Sequence, residues 1–136
     1  MIVADTNIIS YFLLPTSFSD SVDTLYKIDS HWVAPYLWKS EFRNVLALYL
    51  RKKLINFEKA IQLQDSAESI MNNNEFNVSS SQVLSLVEKS SCSSYDCEFV
   101  SLAQHLNTQL ITQDKKILRE FPSCAISISD FLIQNP

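Results

Sequence analysis

Apolar residues fall along this chain in two rhythms. Short unbroken runs at 2–4, 31–34 (HWVA), 109–112 and 125–128 read as buried strands, and 76–78 as a brief extended piece. Between them apolar positions recur every three or four residues, as on one face of a helix. The spacing predicts helices over 6–14, which stops at Pro15, and over 19–28. A long helix follows from Pro35, placed in its first turn, to about Lys53, with Arg51, Lys52 and Lys53 at its negative end. Phe57, Ala60, Ile61, Gln64, Ala67 and Met71 mark another. The serines at 79–81 lead into one carrying Val83, Leu84, Leu86 and Val87. The last three cover about 95–106, 115–119 and 130–134. Strands alternating with helices predict an α/β fold in α/β/α layers, around a mainly parallel sheet of four to five short strands.

Composition narrows the picture mostly by exclusion. Residues 1–136 contain no repeat, low-complexity segment or dividing linker, and 46% hydrophobic content suffices for one globular core, so a single domain is expected. No apolar run approaches the roughly 20 residues of a membrane span. The start lacks a basic segment and Asp5 interrupts its apolar run, which argues against a secretory signal. Three cysteines without a CxxC pair read as reduced thiols in a cytoplasmic protein. The chain has no glycine, which excludes a P-loop and a GxGxxG turn. Left-handed helix caps must then fall to asparagine, at Asn107 and within 72–74. A net charge of −4 does not advertise a nucleic-acid partner, although four acids gathered around a metal would leave the remaining surface near neutral.

Asp5, Glu41, Asp96 and Asp114 carry the candidate chemistry. At about 100° per residue, Glu41 falls inside the apolar arc of its helix, between Leu48 and Val45. Asp96 falls between Ala103 and Val100 in an arc that also holds Tyr95, Phe99, Leu102 and Leu106. Asp5 and Asp114 follow the runs IVA and LIT, so they leave the C-terminal ends of strands. In open parallel sheets that edge binds ligands. Each acid also has a plainer reading. Asp96 fits a Ser93-x-x-Asp96 capping box, Asp5 and Asp114 fit caps of the following helices, and Glu41 fits a partner for a buried Arg or Lys. Burying unpaired carboxylates together is costly unless a cation neutralises them. A divalent metal site explains all four placements jointly. The oxygen donors suit Mg²⁺ or Mn²⁺, and the absence of a His or Cys cluster argues against zinc.

The order of VADTNIIS, APYLWKSEFRNVL, SSYDCEFVSLAQHLN and LITQDKKIL resembles the PIN-domain ribonucleases, most closely VapC-type toxins of toxin–antitoxin pairs. The resemblance covers essentially the full length. It implies a PIN-like fold and a metal-dependent endoribonuclease whose ligands are Asp5, Glu41, Asp96 and Asp114, with one or two Mg²⁺ or Mn²⁺ ions. Thr6, Asn7 and Thr112 match its polar helpers, which steady a carboxylate or the attacking water. Relatives often carry a further acid where this chain has Lys115 and Lys116, which weakens a second metal position. A homodimer and a cognate antitoxin are implied by the resemblance alone.

Lys115, Lys116 and Arg119 are candidate phosphate contacts or a solvated helix face. Glu98, about 160° from Asp96 around its helix, faces either the site rim or solvent, or partners His105. His31 and His105 read as ordinary half-buried histidines, and Cys97 lacks a base to activate it. Two other readings stay open: a housekeeping RNA-processing nuclease with the same site, and a non-catalytic RNA- or protein-binding module.

Overall fold

A computed structural model describes residues 1–136. The elements, in chain order, are β1 (Ile2–Ala4), α1 (Thr6–Leu13), α2 (Ser19–Ile28), β2 (Trp32–Pro35), α3 (Leu37–Arg51), α4 (Phe57–Met71) and β3 (Glu75–Phe76). There follow α5 (Ser80–Glu88), α6 (Ser94–His105), β4 (Leu110–Ile111), α7 (Lys115–Glu120), β5 (Ala125–Ile126) and α8 (Ile128–Gln134). All strand pairs are parallel, in the order β3-β2-β1-β4-β5. Helices α1, α3 and α4 pack on one another and on the sheet. Helix α6, backed by α5, packs on β1, β2 and β4. The result is the three-layer α/β/α arrangement expected of alternating strands and helices.

The strands are short and almost wholly buried, because a parallel sheet is covered on both faces. Their apolar side chains join Ile8, Leu25, Trp38, Phe42, Phe99 and Leu102 in one core of 32 buried residues. Burial of Trp38 and Phe42 anchors α3, and Trp38 Nε1 donates to Glu75 Oε2 at 2.9 Å beside the sheet edge. No helix is long and apolar enough to cross a membrane.

Three details depart from the sequence expectation. Pro35 ends β2 instead of opening α3. Ala34 N bonds Asn74 O, just before β3, and Tyr36 N bonds Phe76 O within it, so the Pro35 nitrogen faces the β1 side, where the register sets it opposite Asp5, beyond the end of β1. A missing N–H there costs no ladder bond. Helix α8 begins at Ile128, earlier than expected, because the Ser127 hydroxyl accepts from Asp130 N at 3.1 Å and cuts the last strand short. Left-handed conformations do fall to Asn107 (φ 51°) and Asn73 (φ 64°), but also to Lys53 (φ 57°). In its Schellman cap Leu54 N bonds Tyr49 O at 2.9 Å.

Candidate active site

The chain runs from β1 to β2 and β3 on one side, then returns to β4 and β5 on the other. The gap between β1 and β4 is therefore a topological switch point, where the diverging connections leave a crevice at the carboxyl edge. Asp5 leaves β1 there. The pairing of Ala4 with Ile111 sets Asp5 beside Thr112, two residues before Asp114. Glu41 comes from the second turn of α3 and Asp96 from the first turn of α6. All four acids line one cleft of about 490 Å³, together with Thr6, Asn7, Ser40, Asn44 and Tyr95.

Hydrogen bonds hold the carboxylates in place. Asp5 is 8% exposed. One of its oxygens accepts from Thr6 N at 2.7 Å, and the other accepts from the Thr112 hydroxyl at 2.6 Å and from Asn7 Nδ2 at 3.4 Å. Thr112, fully buried, also accepts from Asp114 N at 3.0 Å and so ties the two acids together. The Asn7 amide oxygen accepts from Gln113 N at 3.3 Å. Thr6 donates its hydroxyl to Glu41 Oε1 at 2.7 Å, joining α1 to α3. The helper positions Thr6, Asn7 and Thr112 thus form a network linking three of the four acids.

The plainer readings hold alongside the site. Asp5 caps α1, and Asp114 caps α7 by accepting from Lys116 N and Ile117 N at 2.9 and 3.0 Å. Ser93 caps α6 by accepting from Asp96 N at 3.1 Å. Only the cation partner of Glu41 fails, since none of the four acids takes part in an ion pair. Capping itself aims these carboxylates: an Asp at a helix start sits where a strand has just ended, at the sheet edge.

Charge balance at the cleft is unfavourable without a cation. Burial raises the Asp5 carboxyl from 3.8 to about 7 despite the bonds from Thr112 and Thr6, with further rises from Glu41 and Asp96. Burial likewise raises Glu41, opposed by Thr6 and reinforced by Asp96 and Glu98. Asp96 is raised by burial and then by Asp114, with Lys116 acting against both. A group that lowers all these values together must be positive and must accept oxygen donors. No three acidic, His or Cys side chains stand close enough to form a ready-made metal cage. A hard divalent ion such as Mg²⁺ keeps several waters and needs only one or two carboxylates, so the oxygen donors of this cleft are of the right chemical kind.

Lys115, Lys116 and Arg119 are exposed on α7 and do not line the cleft, although the Lys116 charge reaches Asp96. Glu98 is outside it too, on the wall of an adjoining cavity. His31 and His105 are exposed, not half-buried. Cys97 is fully buried and burial raises its thiol, which leaves it inert. The buried faces of α3 and α6 are narrower than their apolar arcs. In α3 only Trp38, Phe42 and Leu46 are buried, while Leu37 and Val45 turn to the cleft and Leu48 is exposed. In α6, Tyr95 is 59% exposed at the cleft mouth. Sequence reasoning also missed Ser40, one position before Glu41, and Asn44, three after it; for Asn44 the i, i+3 spacing from Glu41 was the signal available.

A four-acid cleft at the switch point of a parallel five-stranded sheet defines a class of protein, and sequence and structure comparisons agree on it. The PIN domain profile matches residues 2–122, and the chain belongs to the PIN-domain family, which is of nuclease type. No curated protein matches its sequence. Among solved structures it is similar to PAE2754 from Pyrobaculum aerophilum, at 16% identity and TM-score 0.70, over 98% of this chain and 94% of that one. It is similar to FitAcB from Neisseria gonorrhoeae, at 16% identity and TM-score 0.73, over 95% and 99%. A toxin–antitoxin complex from Klebsiella pneumoniae contains a chain similar at 16% identity and TM-score 0.68, over 94% and 98%.

Proposed function

We propose that this chain is a metal-dependent endoribonuclease, one domain over residues 1–136, acting as the VapC-type toxin of a toxin–antitoxin pair. The observation that carries this reading is the cleft itself: four carboxylates from four elements, none ion-paired, converging at the sheet's switch point. The likeness to the Klebsiella toxin–antitoxin complex supports the toxin role. A cognate antitoxin protein and a homodimer go with it, as does a cytoplasmic setting, which the three free thiols suit.

Asp5 and Asp96 are assigned as the main ligands of Mg²⁺ or Mn²⁺, with Glu41 and Asp114 acting through water or on the nucleophile. When bound, the ion supplies Lewis-acid stabilisation of phosphoryl charge and a more acidic water. The chain's own part is positioning. Thr112 and Asn7 keep one Asp5 oxygen oriented, the Thr6 amide engages the other, and the Thr6 hydroxyl holds Glu41 in the same cleft. Lys115, Lys116 and Arg119, exposed on α7 outside the cleft, are assigned as contacts for flanking phosphates.

Cleavage of a mixed structured RNA with Mg²⁺ or Mn²⁺, wild type against Asp96→Asn and against EDTA, tests the reading. Cuts that need metal and vanish in the variant are expected. RNA binding without cutting under either metal would overturn it in favour of a binding module. Cutting without toxicity on expression would favour an RNA-processing enzyme.

A further inference from the structure

Beside the acidic cleft lies a second cavity, of about 370 Å³, walled by Tyr36, Phe76, Val83 and Leu84 with Asn77 and Glu98 at its polar side. The two are lined by residues consecutive in the chain. Tyr36 precedes the cleft residue Leu37, Ser94 of the second cavity precedes the cleft residue Tyr95, and the Glu98 charge is felt at Glu41. The wall is unusual for a surface: Tyr36 is 53% and Leu84 62% exposed. No cationic side chain lines it, so a phosphate is repelled there by Glu98 and the acids next door. What fits is a flat, uncharged group with apolar faces and a polar edge.

We propose that this second cavity is a base-recognition subsite, holding one unpaired nucleobase of the strand being cut against the Tyr36 ring, with its amino-bearing edge toward Glu98 and Asn77. The assignment rests on the nuclease reading above, which brings an RNA strand into the adjoining cleft. An unstacked base is normally held on an aromatic face and read along its hydrogen-bonding edge. A carboxylate accepts from the guanine N1–H and amino pair, or from the amino groups of cytosine and adenine. Uracil lacks an amino group and offers only N3–H between two carbonyl oxygens that the carboxylate repels, so it is disfavoured.

The test uses unstructured oligoribonucleotides varied one position at a time, cleaved in Mn²⁺, with binding read separately by fluorescence anisotropy in EDTA. Tyr36→Ala is expected to raise KM roughly 10- to 100-fold, the loss of one stacked base, with kcat within about threefold. Tyr36→Phe retains the wild-type KM. Glu98→Gln admits uracil at one position. Cleavage with no base preference, or a Tyr36→Ala enzyme with unchanged KM, overturns the subsite and leaves the nuclease intact. Base-selective binding without cleavage keeps the subsite and overturns the nuclease. Tyr36→Ala weakening only an antitoxin peptide, with RNA unaffected, assigns the cavity to a protein and overturns the proposal.

Discussion

Asparagine in place of Asp5 should make this protein more stable at neutral pH, against the usual direction of a buried-site mutation. The unfolded chain releases the Asp5 proton near 3.8, and the folded protein near 7. Between those values the native state holds a proton that the unfolded state has lost, so stability falls as pH rises through the window. Above about pH 7 the cost is complete, about 4 kcal/mol at about 1.4 kcal/mol per pH unit. Asn cannot ionise and is free of it. It loses one acceptor oxygen, leaving Thr6 N–H or the Thr112 hydroxyl unpartnered, a penalty of about 1–3 kcal/mol. The net expectation in EDTA at pH 8 is a variant more stable by about 1–3 kcal/mol. At pH 5 only the lower part of the window has been crossed, and the advantage shrinks by about 3 kcal/mol. Urea denaturation of both proteins at pH 5, 7 and 8 measures this. A stability difference that does not change with pH would refute the reasoning, since it would mean that native Asp5 has ordinary acidity.

Other consequences are open to measurement. Saturating Mn²⁺ at 100 times its dissociation constant should stabilise the wild type by about 2.7 kcal/mol in calorimetry, with little gain in an Asp5→Asn, Asp96→Asn double variant. Thr112→Val removes the donor to Asp5 and the acceptor of Asp114 N at once; a cost of about 1.5–3 kcal/mol and weaker Mn²⁺ binding by titration calorimetry are expected. Phe42→Ala, in the fully buried face of α3, should cost about 3–5 kcal/mol in urea unfolding. Lys53→Gly relieves a left-handed conformation at φ 57° and should raise the urea midpoint by about 1 kcal/mol of stability, whereas Asn107→Ala at φ 51° should lower it by a similar amount.

The boundaries of α2 and α4 and the first strand were legible in the sequence because local signals agree there: apolar period, caps and breakers. Where local signals compete, tertiary pairing decides. Pro35 suits a helix start by its own geometry, yet β3 recruits Ala34 and Tyr36 on either side of it and keeps it in the sheet. Helical wheels marked Glu41 and Asp96 as anomalous, but could not tell an apolar residue facing the core from one facing a cleft. Tyr95 and Val45 face the cleft without such a mark, since both environments accept an aromatic or aliphatic side chain. Tyr36 and Glu98 were no more legible, because their shared cavity joins segments more than sixty residues apart.

By itself the sequence determined the alternation of strands and helices, the exclusion of glycine-dependent nucleotide loops, and the anomalous placement of the four acids. These follow from local chemistry, since each residue's period, cap or strand end lies within a few positions of it. The strand order, and with it the switch point between β1 and β4, was decided only in the tertiary structure. Parallel pairing joins residues about a hundred positions apart, so the 2.6 Å bond from Thr112 to Asp5 has no local trace. The same holds for the acidity of Asp5, which belongs to its burial and its neighbours and not to its place in the chain.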